Sequence, residues 1–265
     1  MGKVIIGIVV LLVVGGGVYG ALVIRESKKF ADENNKRYLQ QSGAEGNIED
    51  TKEVLKDLDR LTDGDAQEKQ YLLDTSLFTS AQAGNKEQVA LLLGEGGNPE
   101  YKDDYAEYTV LSIAARNGYL DIVRLLAEKG ANVNAVDAWG NSALLLALEK
   151  EQYDVAEFLI NAGADVNVAG YNGLTPLVYA ASRGQVDILQ KLIAKGANVN
   201  ATYTNGGTAL FDAVAQRQVE AAKVLIAAGA NVNAKLDNGT SILAGAKEVG
   251  DAEMIALLQA RGAQE

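Results

Sequence analysis

Six carboxylates recur along this chain at near-constant intervals: Glu87, Asp121, Asp154, Asp187, Glu220 and Glu253 stand 34, 33, 33, 33 and 33 residues apart. Acids in such register can form a ladder of cation sites or supply a general acid and base. The start of a helix selects the same placement, because a negative charge there meets the positive end of the helix dipole. The residues that would extend the chemistry are missing. There is no histidine and no cysteine among 265 residues. That removes the usual proton shuttle at neutral pH, the commonest zinc ligands, thiol nucleophiles and disulfides. No G-x-x-x-x-G-K-[ST] loop is present. Gly15-Gly16-Gly17-Val18-Tyr19-Gly20 fits the outline of a dinucleotide-binding turn, but that turn needs a helix and further parallel strands after it. Here the apolar run simply continues through Ala21 to Ile24. The carboxylates are therefore read as helix-start residues, and no cofactor or metal is expected. An enzyme using surface carboxylates is the weakest of the functional readings.

The elements that carry these acids belong to a repeating unit. Thr75-Ser76-Leu77-Phe78, Thr109-Val110-Leu111-Ser112, Ser142-Ala143-Leu144-Leu145, Thr175-Pro176-Leu177-Val178, Thr208-Ala209-Leu210-Phe211 and Ser241-Ile242-Leu243-Ala244 open six successive copies. A fixed period of this size marks stacked units, each unable to bury its apolar face alone. In the copy from Asn172 to Asn200, the Thr175 hydroxyl can cap a helix with Pro176 in its first position. Leu177, Ala180 and Ala181 form its narrow apolar face, and Gly184 ends it. Asp187 opens a second helix whose buried side includes Leu192 and Ile193. Gly196-Ala197 closes that helix, and Asn198-Val199-Asn200 leads into the next turn.

The chain resembles the ankyrin repeat family, whose T-P-L-H, A-A-x-x-G, V-x-x-L-L and G-A-x-V-N elements recur in phase over residues 74–265. Gly130-Ala131-Asn132-Val133-Asn134, Gly163-Ala164-Asp165-Val166-Asn167 and Gly229-Ala230-Asn231-Val232-Asn233 carry the likeness most clearly. The resemblance implies an all-α solenoid of stacked helix-turn-helix units, with turns projecting like fingers and a concave face that binds proteins. There are departures. The motif's histidine is replaced by Phe78, Ser112, Leu145, Val178, Phe211 and Ala244, so the polar links it makes between units must come from packing or other groups. Glu151 and Arg217 stand where the helix-ending glycine belongs, which predicts strained or altered turns. An extra residue falls in the stretch from Tyr101 to Tyr108.

Before the repeats, Val4 to Ile24 is an uncharged run of 21 residues, long enough as a helix to cross a bilayer. This predicts a single-pass membrane anchor over residues 1–24, with a cleaved signal peptide ending at Gly20 as the alternative. Gly16 and Gly20 have the small-x-x-x-small spacing that allows two membrane helices to pack, hence a homodimer. Arg25, Lys28, Lys29, Lys36 and Arg37 follow the run and favour a cytoplasmic repeat domain; a periplasmic or extracellular one stays open. Residues 25–73 read as a polar helical stalk. Within it Val54, Leu55, Leu58 and Leu61 recur at helical spacing and would cap the open end of the stack.

Charge narrows the partner. The net charge is −11, and residues 1–61 balance with nine basic and nine acidic side chains, so the repeats hold the deficit. An acidic array repels phosphate backbones, so nucleic acid is not expected, whereas a protein with a basic patch is acceptable. Contacts are expected at the turn tips, through Tyr105, Trp139, Tyr171, Asn172, Tyr203, Asn205, Asp237 and Asn238. On the exposed side of the first helices, Arg116, Lys150 and Arg183 are candidates. The expected function is a membrane-tethered protein-binding adaptor or scaffold, with a secreted or periplasmic binding protein as the alternative.

Overall fold

The computed structural model describes residues 48–58, 62 and 65–265, which hold thirteen α-helices and no β-strand beyond isolated bridges. Helix α1 (Ile48–Lys56) precedes six helix pairs. These are α2 (Ala66–Ala83) with α3 (Lys86–Gly94), α4 (Val110–Arg116) with α5 (Leu120–Glu128), and α6 (Ala143–Glu149) with α7 (Tyr153–Asn161). Then follow α8 (Pro176–Ser182) with α9 (Val186–Ala194), α10 (Ala209–Ala215) with α11 (Val219–Ala227), and α12 (Ile242–Val249) with α13 (Ala252–Ala260). Turns this short force each pair to run antiparallel. First helices stack on first helices and second on second, giving two layers with the core between them. Leu111, Leu144, Leu177, Leu210 and Leu243 are buried in one layer and Leu126, Leu159, Leu192, Leu225 and Leu258 in the other. The 33-residue period is thus the repeat of one core layer.

Local capping follows the sequence in four units. Thr109 accepts from Ser112 N at 3.0 Å, Ser142 from Leu145 N at 3.4 Å, Thr208 from Phe211 N at 3.3 Å and Ser241 from Ala244 N at 3.1 Å. Two units depart from it. Thr175 makes no such bond: the Val178 N–H goes to the Thr175 carbonyl at 3.1 Å, and the hydroxyl is buried without a partner. Thr75 does not begin a helix at all. It lies inside α2, which starts nine residues earlier under an Asp65 cap, and its hydroxyl donates to Tyr71 O at 2.8 Å. No glycine or proline interrupts the chain from Ala66 to Ala83, so nothing stops the helix, and the boundary at 73/74 falls in its middle. The turns between paired helices use left-handed backbone. Gly118 and Gly184 sit at φ 82° and 65°, and Glu151 and Arg217 adopt the same region at 60° and 57°, as the missing glycines predicted.

At the amino-terminal end, α1 packs on α3 with Val54 and Leu58 buried, and Gln88 Nε2 donates to the Thr51 hydroxyl. Leu61 lies outside the described residues, as do the 4–24 run, Gly16 and Gly20. The expectation of a single-pass membrane location is corrected: no helix among the described residues is long and apolar enough to cross a membrane. The longest, α2, has 18 residues but carries Glu68, Lys69 and Asp74, charges that a hydrocarbon core would reject. The bilayer contact and the dimer through that helix lose their support with it.

Candidate functional site

Five fingers project between successive helix pairs. Four are closed by a single antiparallel bridge, at Lys102–Thr109, Val136–Ser142, Thr202–Thr208 and Lys235–Ser241. Aspartate side chains shape the first two. Asp103 accepts from Tyr108 N at 2.6 Å, Ala106 N at 3.0 Å and Tyr105 N at 3.2 Å. Asp137, 5% exposed, accepts from Asn141 N at 2.8 Å and Trp139 N at 2.9 Å, and from Asn141 Nδ2 at 3.0 Å. Each carboxylate replaces the strand pairing that so short a hairpin cannot supply.

Fingers are also tied to one another. Ala138 N donates to Ala106 O at 3.1 Å, Tyr171 N to Asn141 Oδ1 at 3.2 Å, Thr204 Oγ1 to Asn172 O at 2.8 Å, and Asp237 N to Asn205 O at 3.0 Å. Asn172 and Asn205 occupy left-handed turns at φ 60° and 68°. Their exposed side chains are thus secondary to a backbone role. Asp237 and Asn238 are exposed, and Asn238 closes its own turn by accepting from Thr240 N at 2.9 Å.

The aromatic candidates divide. Tyr105, Tyr171 and Trp139 are exposed by 89%, 63% and 45%. Tyr203 is not at the surface in the same way. It folds back so that its hydroxyl donates to Asp212 Oδ2 at 2.6 Å, and a Cβ at Gly207 would collide with its ring. Burial, then the bonded Asp212, pushes the Tyr203 phenol above its ordinary range; burial raises the Asp212 carboxyl, against the lowering effect of that bond. Sequence reasoning missed Tyr108. Its ring lies 6.2 Å from that of Trp139, and the Arg116 guanidinium sits 5.9 Å from its centroid. The signal was an aromatic immediately before the Thr109 cap. The structure thus gathers Trp139, Tyr108 and Arg116 into one cluster. Lys150 pairs with Glu149 at 2.7 Å and Arg183 with Glu151 at 3.0 Å, so both are partly neutralised by neighbours.

The six helix-start carboxylates form no cleft. All are exposed; Asp121 meets Lys86 at 3.6 Å, and Lys223 bridges Glu220 and Glu253 at 2.7 and 3.0 Å. Among the described residues no group of three or more acidic, histidine or cysteine side chains could hold a metal ion.

Polar links between successive units come from the asparagines that end the G-A-x-V-N turns. Asn134 Oδ1 accepts from Asp165 N at 2.7 Å, Asn167 from Asn198 N, Asn200 from Asn231 N and Asn233 from Gln264 N, each at 2.8 Å. Their amides donate to the Gly163, Gly196, Gly229 and Gly262 carbonyls. Each asparagine therefore clamps the helix-ending loop of the following unit.

A family model described as ankyrin repeats, in three copies, matches residues 77–170 and 168–236. Over 68 residues the chain is 38% identical to the potassium channel GORK of Arabidopsis thaliana, covering 26% of this chain and 8% of that protein. It is 34% identical over 87 residues to the ankyrin repeat and SAM domain-containing protein 6 of Danio rerio, covering 32% and 12%. It is 37% identical over 78 residues to the serine/threonine-protein kinase VIK of Arabidopsis thaliana, covering 29% and 18%. The matched segment spans less than a fifth of each of these relatives.

Proposed function

The chain belongs to the ankyrin repeat family, and from that premise we propose that it holds a partner protein against its first three fingers, with Tyr105, Trp139 and Tyr171 as anchors. One observation carries this reading: three large aromatic side chains stay exposed on three successive fingers whose backbones are pinned by Asp103, Asp137 and Asn141. A tyrosine or tryptophan carries about 150–250 Å² of surface. At about 25 cal/mol per Å², covering the exposed half of one such ring stabilises a complex by roughly 2–3 kcal/mol. A rigid finger loses little freedom when it is covered, so more of that gain survives as affinity. The adjoining Tyr108 and Arg116 extend the patch onto the first-helix side, while Tyr203, Asn172 and Asn205 serve the scaffold. A protein partner fits this surface better than nucleic acid, because the repeats are acidic.

A crosslinking pull-down with the full chain tests the reading. The double variant Trp139→Ala, Tyr171→Ala should lose most of the partner recovered by the wild type while remaining folded, its stability lowered by the lost Trp139–Tyr108 contact, about 0.5–1.5 kcal/mol. Unchanged recovery rejects this surface.

A further inference from the structure

Resting on that docking surface, we propose that the aromatic row takes an extended segment in polyproline II conformation. The segment carries proline or a small apolar residue at every third position, and a basic residue at the end lying over the first finger.

Spacing gives the first argument. Tyr105, Trp139 and Tyr171 lie on three adjacent fingers, four, three and four residues before the caps Thr109, Ser142 and Thr175, and the fingers are joined by the Ala138–Ala106 and Tyr171–Asn141 bonds. Stacked helices lie roughly 8–10 Å apart. A polyproline II chain rises 3.1 Å per residue with three residues per turn, so it presents the same face every ~9.3 Å. A β-strand returns to the same face after two residues, about 6.6 Å, and falls out of step. An α-helix returns after seven residues, about 10.5 Å, and fits as well by this measure alone.

The polar ends of the rings separate these two. The hydroxyls of Tyr105 and Tyr171 and the indole N–H of Trp139 make no hydrogen bond among the described residues. Once covered, each needs an acceptor, because a buried unpaired donor is costly. The carbonyls in the middle of an α-helix are already bonded and offer only a second lone pair, largely screened by the helix's own side chains. A polyproline II segment has every carbonyl free. Its prolines also stack against exposed aromatic faces, and its ordering cost is small because the conformation is preformed.

Charge sets the direction. The first finger holds Asp103, Asp104 and Glu107 against Lys102, which is already paired with Glu107 at 3.3 Å. Further along, Glu149 is matched by Lys150 and Glu151 by Arg183. Asp137 beside Trp139 also lacks a cation among the described residues, but it is buried and spent on the Trp139 and Asn141 N–H groups. The largest excess of acidic side chains lies on the first finger beside Tyr105, and a basic residue on the partner complements it.

Trp139 is the only tryptophan of the chain, so its fluorescence reports on this surface directly. The full chain is titrated with three synthetic peptides of equal length. The first has proline at every third position and two lysines at one end. The second has the same composition with the same number of prolines gathered at alternate positions over part of its length. The third is a helix-forming peptide with leucine at heptad spacing and the same lysines. The first peptide should shift the emission, with the other two at least tenfold weaker. Tyr105→Ala and Tyr171→Ala should each weaken it about fivefold, and exchange of the lysines for glutamates about tenfold. Equal binding of the first two peptides overturns the three-residue period. Tighter binding of the helical peptide overturns the extended segment and leaves the docking surface standing. Silence towards all three overturns the proposal, and overturns the docking surface too if the pull-down is also unaffected by the double variant.

Discussion

Replacing Asn200 by alanine removes two bonds that cross from one unit to the next: Asn200 Oδ1 accepts from Asn231 N at 2.8 Å, and Nδ2 donates to Gly229 O at 3.0 Å. The site is exposed, so water takes over both partners, and each bond contributes at the low end of its usual range, about 0.5–1 kcal/mol. The expected loss is therefore about 1–2 kcal/mol. Asn198→Ala is the control. Its Oδ1 accepts only from Asn200 N, 3.1 Å away in its own turn, so about 0.5 kcal/mol is expected. In a stack whose stability is a sum of unit and nearest-neighbour terms, the first loss falls wholly on the junction between the α8–α9 and α10–α11 pairs. Urea unfolding gives the magnitudes, and native-state hydrogen exchange locates the loss. Protection should drop in α10 to α13 more than in α4 to α7. The reasoning fails if Asn200→Ala costs no more than Asn198→Ala, or if the loss of protection is even along the stack.

Three other outcomes follow from the same structure. Leu177 is buried to 1% between layers, so Leu177→Ala should cost roughly 2–5 kcal/mol in urea unfolding; a change below 1 kcal/mol would place it outside the core. The Asp212 carboxyl titrates above its ordinary value of 3.8, so its favourable contribution is present below that pH and is lost as pH rises through the raised folded value. Asp212→Asn keeps an acceptor for Tyr203 and should be more stable than wild type at neutral pH, with the difference vanishing under acid; a pH-independent difference would contradict this. At Glu151, φ 60° strains any side chain, and both Gly and Ala lose the Arg183 ion pair. Glu151→Gly should thus exceed Glu151→Ala by about 0.5–1 kcal/mol in thermal or urea unfolding, and the reverse order would deny the strain.

The sequence by itself determined the unit, its period, the alternation of a first and a second helix, the strain of the turns at Glu151 and Arg217, and the role of the carboxylates as helix-start residues. These are legible because caps, helix-ending residues and apolar spacing act over a few neighbouring positions. The same local logic misled at Thr75, where the opening pattern of a unit is present but nothing stops the preceding helix. It misled again at Thr175, where the backbone carbonyl takes the N–H that the hydroxyl was expected to cap.

Which aromatic rings face outward was decided only by the tertiary structure. Tyr171 and Tyr203 look alike as finger residues, but Asp212 on the following helix captures the Tyr203 hydroxyl, and no such group waits for Tyr171. The asparagine clamps between units are likewise invisible in one unit, because each bond ends on a backbone 31 residues further on. The Trp139–Tyr108–Arg116 cluster forms only when one finger leans over its predecessor. Exposure and pairing are properties of the stack. A ring or an amide is satisfied by whatever the next unit presents, and no position within a single unit contains that information.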